Sequence, residues 1–110
     1  GITEIQRIAE QVAKMLSESL TAFARLDINL AKDIFERERK VDKVYQSALR
    51  SLATFMIEDP RNIGRVLNIV WIARSLERVG DHATNIAEYV IYLVQGVDVR
   101  HPSVNDNSFT

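Results

Sequence analysis

The chain has 110 residues, of which 46% are apolar and 26% charged, a composition that suits one globular domain and places the chain in the globular class, not the disordered one. Fourteen basic and fifteen acidic residues leave a net charge of −1, so no general attraction to nucleic acid is expected. The absence of cysteine excludes disulfides and thiolate zinc sites and fits a reducing, cytoplasmic compartment.

Four glycines and two prolines provide few turns, which favours long helices over many short strands. The first helix is expected over about residues 3–26, with Ile5, Ile8, Val12, Met15 or Leu16, Leu20, Phe23 and Leu26 three or four apart. Asp27 then reads as a turn residue and N-cap. The second helix is expected over about 29–57, its stripe formed by Ile34, Val41, Tyr45, Ala48, Leu52 and Phe55 or Met56. Pro60 stops it and biases Asp59 away from helical angles. The third runs over about 63–95, its stripe opening with Val66, Val70 and Ala73, with Gly96 as its C-cap. Residues 97–110, polar and broken by Pro102, read as a flexible tail. Short links make neighbouring helices antiparallel, so the fold class is all-α, an up-down-up three-helix bundle over residues 1–96 with coiled-coil-like packing. No internal period supports a repeat array. The longest apolar runs, IVWIA and YVIYLV, fall far short of a membrane span, and no signal-peptide pattern is visible.

The third helix carries acids where leucines are expected. With Glu77 at zero on a helical wheel, Asp81 lies near about +40° and Glu88 near about +20°, in line with Val66, Val70 and Ala73. Gly80, inside the same helix, costs about 1 kcal/mol against alanine and would admit a close backbone or ligand. In the second helix Glu38 and Asp42 repeat the E-x-x-x-D spacing at the edge of that helix's core face. Folding the hairpin about Pro60 and Arg61 brings Glu38, Asp42, Glu77 and Asp81 within roughly 10 Å along the bundle axis. Four carboxylates at one level need compensating charge. A hard cation such as Mg²⁺, Ca²⁺ or Mn²⁺, or iron or zinc, would supply it through oxygen ligands. Surface salt bridges to Arg37, Arg39, Lys40, Arg74 and Arg78 would explain much of the pattern, and both readings stand at the level of sequence.

The segments RSLERVGDHATNIAEYVIYLVQGVDVRH and FERERKVDKVY resemble the PhoU family of phosphate-transport regulators. That resemblance implies one of the two tandem three-helix bundles of such proteins, the C-terminal one. It makes Glu38, Asp42, Glu77 and Asp81 the expected metal ligands, with Asn85 and Glu88 as outer contributors. It also implies a cytoplasmic adaptor that represses the phosphate-starvation response by linking the phosphate transporter's ATPase to a sensor histidine kinase. With only one bundle present, a homodimer is an open expectation. The alternative is a structural or oligomerising helical module with no metal site.

The remaining chemistry-bearing residues point elsewhere. His82 projects about 100° from Asp81 and reads as a helix-surface or neighbour-contacting residue. Trp71 and Tyr45 read as core or rim aromatics, and Tyr89 and Tyr92, if exposed, would favour a partner surface. No nucleophile–base arrangement, Walker A or G-x-S-x-G motif is present, so no enzymatic role is expected.

Overall fold

The computed structural model describes residues 2–96. Three helices, α1 (Ile2–Arg25), α2 (Ile28–Glu58) and α3 (Ile63–Gln95), form an up-down-up bundle, with one turn of 3₁₀ helix at Pro60–Asn62 between α2 and α3. All three pairs of helices are in contact. The tail expected over 97–110 lies outside the described residues.

The core follows a heptad rhythm. On α1 the buried residues are Ile5, Ile8, Val12, Met15, Ser19 and Ala22, alternately three and four apart. On α3, Val66, Ala73, Gly80 and Ala87 recur every seven residues, with Ala83 and Val90 as a second series. An exact seven-residue repeat drifts by about 20° per heptad on a straight helix and imposes a left-handed supercoil. This corrects the α1 stripe expected from sequence. Leu20 and Phe23 are about half exposed, because the heptad seam passes through Ser19 and Ala22 instead. Those small residues let the helices approach, and the Ser19 hydroxyl is satisfied by donating to the Leu16 carbonyl at 2.7 Å.

Both links are made by local chemistry. Leu26 adopts a left-handed conformation, φ 52°, and ends α1 one residue earlier than expected. Its N–H donates to the Phe23 carbonyl and the Asp27 N–H to that of Ala22, the paired bonds of a Schellman motif with leucine in the place usually held by glycine. Asp27 is at once the residue after that motif and the N-cap of α2, its carboxylate accepting from the Leu30 N–H at 3.1 Å. At the other end Asp59 caps the 3₁₀ turn by accepting from the Arg61 N–H and guanidinium. Gly96, φ 66°, closes α3 as its sequence position suggested.

Candidate metal centre between α2 and α3

The rhythm of α2 has one anomaly. Its buried residues Ala31, Tyr45 and Leu52 belong to a series seven apart, and the missing member of that series is Glu38. A carboxylate therefore occupies a core position. It fits because the residues opposite are small: Gly80, Ala83 and Thr84 of α3 are all buried. An added Cβ at Gly80 would meet only the Val12 side chain, at 3.8 Å. Gly80 is thus not forced by a close backbone contact, as the sequence suggested, and its place belongs to the seam.

Glu38 is half-buried, and its Oε2 is a fully enclosed oxygen with no hydrogen-bond partner. Burial pushes its carboxyl above the ordinary glutamate range; the neighbouring Thr84 hydroxyl draws it partway back, and the charges of Asp81, Asp42 and Glu88 raise it further. In the observed geometry the Thr84 hydroxyl donates to the Asp81 carbonyl at 2.8 Å, so its proton is engaged there and Oε2 is left unsatisfied.

Glu38, Asp42, Glu77 and Asp81 all line one groove of about 470 Å³ between α2 and α3, floored by Ile8, Val12 and Met15 of α1. The hairpin count from sequence thus brings the four carboxylates together, but their depths differ from expectation. Glu77 and Asp81, expected in line with the core stripe, are exposed. Glu38, expected at the edge, is the deep one. The reason is the drift of the heptad seam, which by the level of Gly80 has rotated away from the line of Val66, Val70 and Ala73 toward Ala83 and Ala87. Glu88 is near enough to act on Glu38, whereas Asn85 is exposed and is not among the residues lining the groove.

From sequence Tyr45 reads only as a core or rim aromatic, and Thr84 carries no role. Tyr45 lines the groove, and its phenol is held above the ordinary range by burial and by the Glu77 charge, with Arg74 acting in opposition and Asp42 adding to the rise. The signal available for Thr84 was its place one turn after Gly80 on the small-residue side of α3. His82 is exposed, in keeping with its surface reading, and Trp71 is exposed rather than core.

Compensation by arginine is sparse. The ion pairs seen among the described residues join Arg37 to Glu18, Arg39 to Glu36 and Arg61 to Asp59. Among those residues none joins Arg74 or Arg78 to Glu77 or Asp81. Arg39, Lys40 and Lys43 stand on the groove's rim. No three Asp, Glu or His side chains among the described residues are gathered tightly enough to form a ready-made metal cage. The donor set nevertheless suits a hard cation in kind: an enclosed, unpartnered carboxylate oxygen and three exposed carboxylates line the same groove.

A PhoU domain family model matches residues 5–90. The chain is 58% identical over 101 residues to the phosphate-specific transport system accessory protein PhoU homolog of Pseudomonas aeruginosa, a match covering 92% of this chain and 42% of that protein. It is 41% identical over 100 residues to the phosphate-specific transport system accessory protein PhoU of Escherichia coli K12, covering 91% and 42%. The crystal structure of PhoU from Pseudomonas aeruginosa matches with a TM-score of 0.85 at 57% identity, over 88% of this chain and 46% of that one. The chain therefore spans less than half the length of these relatives, the extent of a single three-helix repeat. No helix among the described residues is long and apolar enough to cross a membrane. From the family model, the identities and the shared fold together, the chain belongs to the PhoU family.

Proposed function

We propose that this bundle is a cation-binding regulatory unit that serves phosphate uptake, with Glu38, Asp42, Glu77 and Asp81 as the ligands. The observation that carries this reading is the enclosed, unpartnered Oε2 of Glu38 beneath three further carboxylates in one groove. A bound Mg²⁺, Mn²⁺, iron or zinc ion would supply positive charge that the nearby arginines do not bring into contact with the acids. The chain's own residues do the rest. Glu38 anchors from α2, Glu77 and Asp81 reach across from α3, and the buried Tyr45 and Val12 keep one side of the groove dry. Neutralising the acids would draw α2 and α3 together at this level and so set the shape and charge of the surface offered to a partner.

By family resemblance that surface serves a cytoplasmic adaptor role, between the phosphate transporter's ATPase and a sensor histidine kinase, that represses the phosphate-starvation response. The relatives' names, which describe accessory proteins of phosphate-specific transport, support the transporter side of this reading. The role is regulatory, with no catalytic step.

Protein purified without chelator should contain metal by elemental analysis, and added divalent cation should raise its melting temperature, because a ligand that binds only the folded state stabilises it. Replacing Glu77 and Asp81 together by alanine should abolish both effects. Unchanged metal content in that double variant would show that these positions are not ligands. Co-purification with the transporter ATPase, with and without cation, tests the adaptor role separately.

A further inference from the structure

A buried hydroxyl stands beside the one deep acid. Glu38 lies 22 residues before Pro60 and Thr84 lies 23 residues after Arg61, so the hairpin brings the two to the same height within about 2 Å. On the wheel of α3, Thr84 sits between Gly80 and Asp81, about 40° from the first and about 60° from the second. It is therefore on the flank of α3 that meets α2 at the acidic groove. Its nearness to Glu38 shows in the carboxyl, which the hydroxyl draws partway back toward the ordinary range. Among the buried residues described on α3, Thr84 alone has a hydrogen-bonding side chain, and Gly80, Ala83 and Ala87 around it offer none.

The hydrogen bond that the hydroxyl makes is one it can give up. It donates to the Asp81 carbonyl at 2.8 Å. Within α3 that oxygen is also the regular helical acceptor of the Asn85 N–H. Releasing the hydroxyl therefore leaves no backbone group unpaired, whereas a buried carboxylate oxygen without a donor is costly. Threonine in a helix divides between two side-chain rotamers, so the proton can be aimed back along α3 or across toward α2. A carboxylate only accepts hydrogen bonds. When one oxygen of Glu38 is committed to a cation, the other still needs a donor, and a donor to a charged acceptor makes the stronger bond.

We infer that Thr84 is a positioning residue of the cation site: its hydroxyl turns from the Asp81 carbonyl to Glu38 and holds that carboxylate with one oxygen presented to the groove. This inference rests on the cation reading above and adds to it a residue that is not itself a ligand. Hydrogen bonds to a ligating carboxylate fix its orientation, and losing one weakens metal binding by about 10–100-fold.

Mn²⁺ titrations, with the free ion read by electron paramagnetic resonance, give the affinity, and melts in chelator give the metal-free stability. Thr84→Val removes the hydroxyl at nearly constant volume. It should bind Mn²⁺ about 10–100-fold more weakly, while its melting temperature in chelator stays within about 2 °C of wild type. Thr84→Ala, which lacks the hydroxyl but favours the helix, should lose as much affinity. Thr84→Ser, which keeps the hydroxyl and loses only the methyl group, should restore binding to within about threefold of wild type. Wild-type affinity in Thr84→Val overturns the inference and leaves the cation reading standing. Failure of serine to restore binding overturns it too, because the methyl group rather than the hydroxyl then matters. So does a drop of more than about 5 °C in the metal-free melting temperature of Thr84→Val, which marks a structural role. A wild-type protein that binds no Mn²⁺ removes the cation reading itself, and this inference with it.

Discussion

Replacing Glu38 by glutamine should stabilise the metal-free protein, although Glu38 is the deepest of the candidate ligands. Burial holds its carboxyl above the ordinary glutamate value of 4.5, so the folded state binds that proton more tightly than the unfolded chain. Between the unfolded value and the raised folded one, stability falls as pH rises, and above the folded value the penalty is complete. The neutral amide of glutamine escapes the cost of burying an unpaired charge, about 1–3 kcal/mol, although it is no better paired than the carboxyl it replaces. Glu38 is only half-buried, so the lower end, about 1 kcal/mol, applies. For a domain of this size that corresponds to a rise in melting temperature of about 4–8 °C near neutral pH. The gain should vanish toward about pH 4, where wild-type Glu38 is itself protonated. Added cation should reverse the order. A ligand at one hundred times its dissociation constant stabilises by about 2.7 kcal/mol, and the variant should forgo most of it. Melts by circular dichroism over a pH series, with chelator and then with divalent cation, measure all of this. A variant less stable than wild type near neutral pH in chelator would refute the argument, because Glu38 would then be making a favourable interaction that the geometry does not contain.

Other substitutions test the local chemistry. Gly80→Ala should stabilise by about 0.5–1 kcal/mol in denaturant unfolding, since helix propensity improves and the new Cβ meets only Val12 at ordinary contact distance. Loss of cation response in that variant would mean that the groove floor needs to stay open. Leu26→Gly should stabilise by about 0.5–1 kcal/mol, because leucine is strained at φ 52° and half exposed there. Asp27→Ala should destabilise by about 1 kcal/mol, read as a lower melting temperature, through loss of the cap on the Leu30 N–H.

Much of the architecture is legible in the order of residues because it rests on local chemistry. Asp27, Pro60 and Gly96 act within a few residues of themselves, so the breaks between helices follow from sequence to within one residue. Heptad spacing in α1 and α3 and the two E-x-x-x-D pairs are likewise visible, and chain length about a single turn is enough to bring Glu38, Asp42, Glu77 and Asp81 to one level. The tertiary structure alone decides which acid is deep and which are exposed. A wheel ranks residues around their own helix but cannot locate the neighbours or carry the slow drift of a seven-residue seam. That drift turns Glu77 and Asp81 outward and leaves Glu38 in a core position. It also moves the α1 seam onto Ser19 and Ala22 and leaves Leu20 and Phe23 about half exposed, because only the packing of three helices against one another fixes where the seam runs.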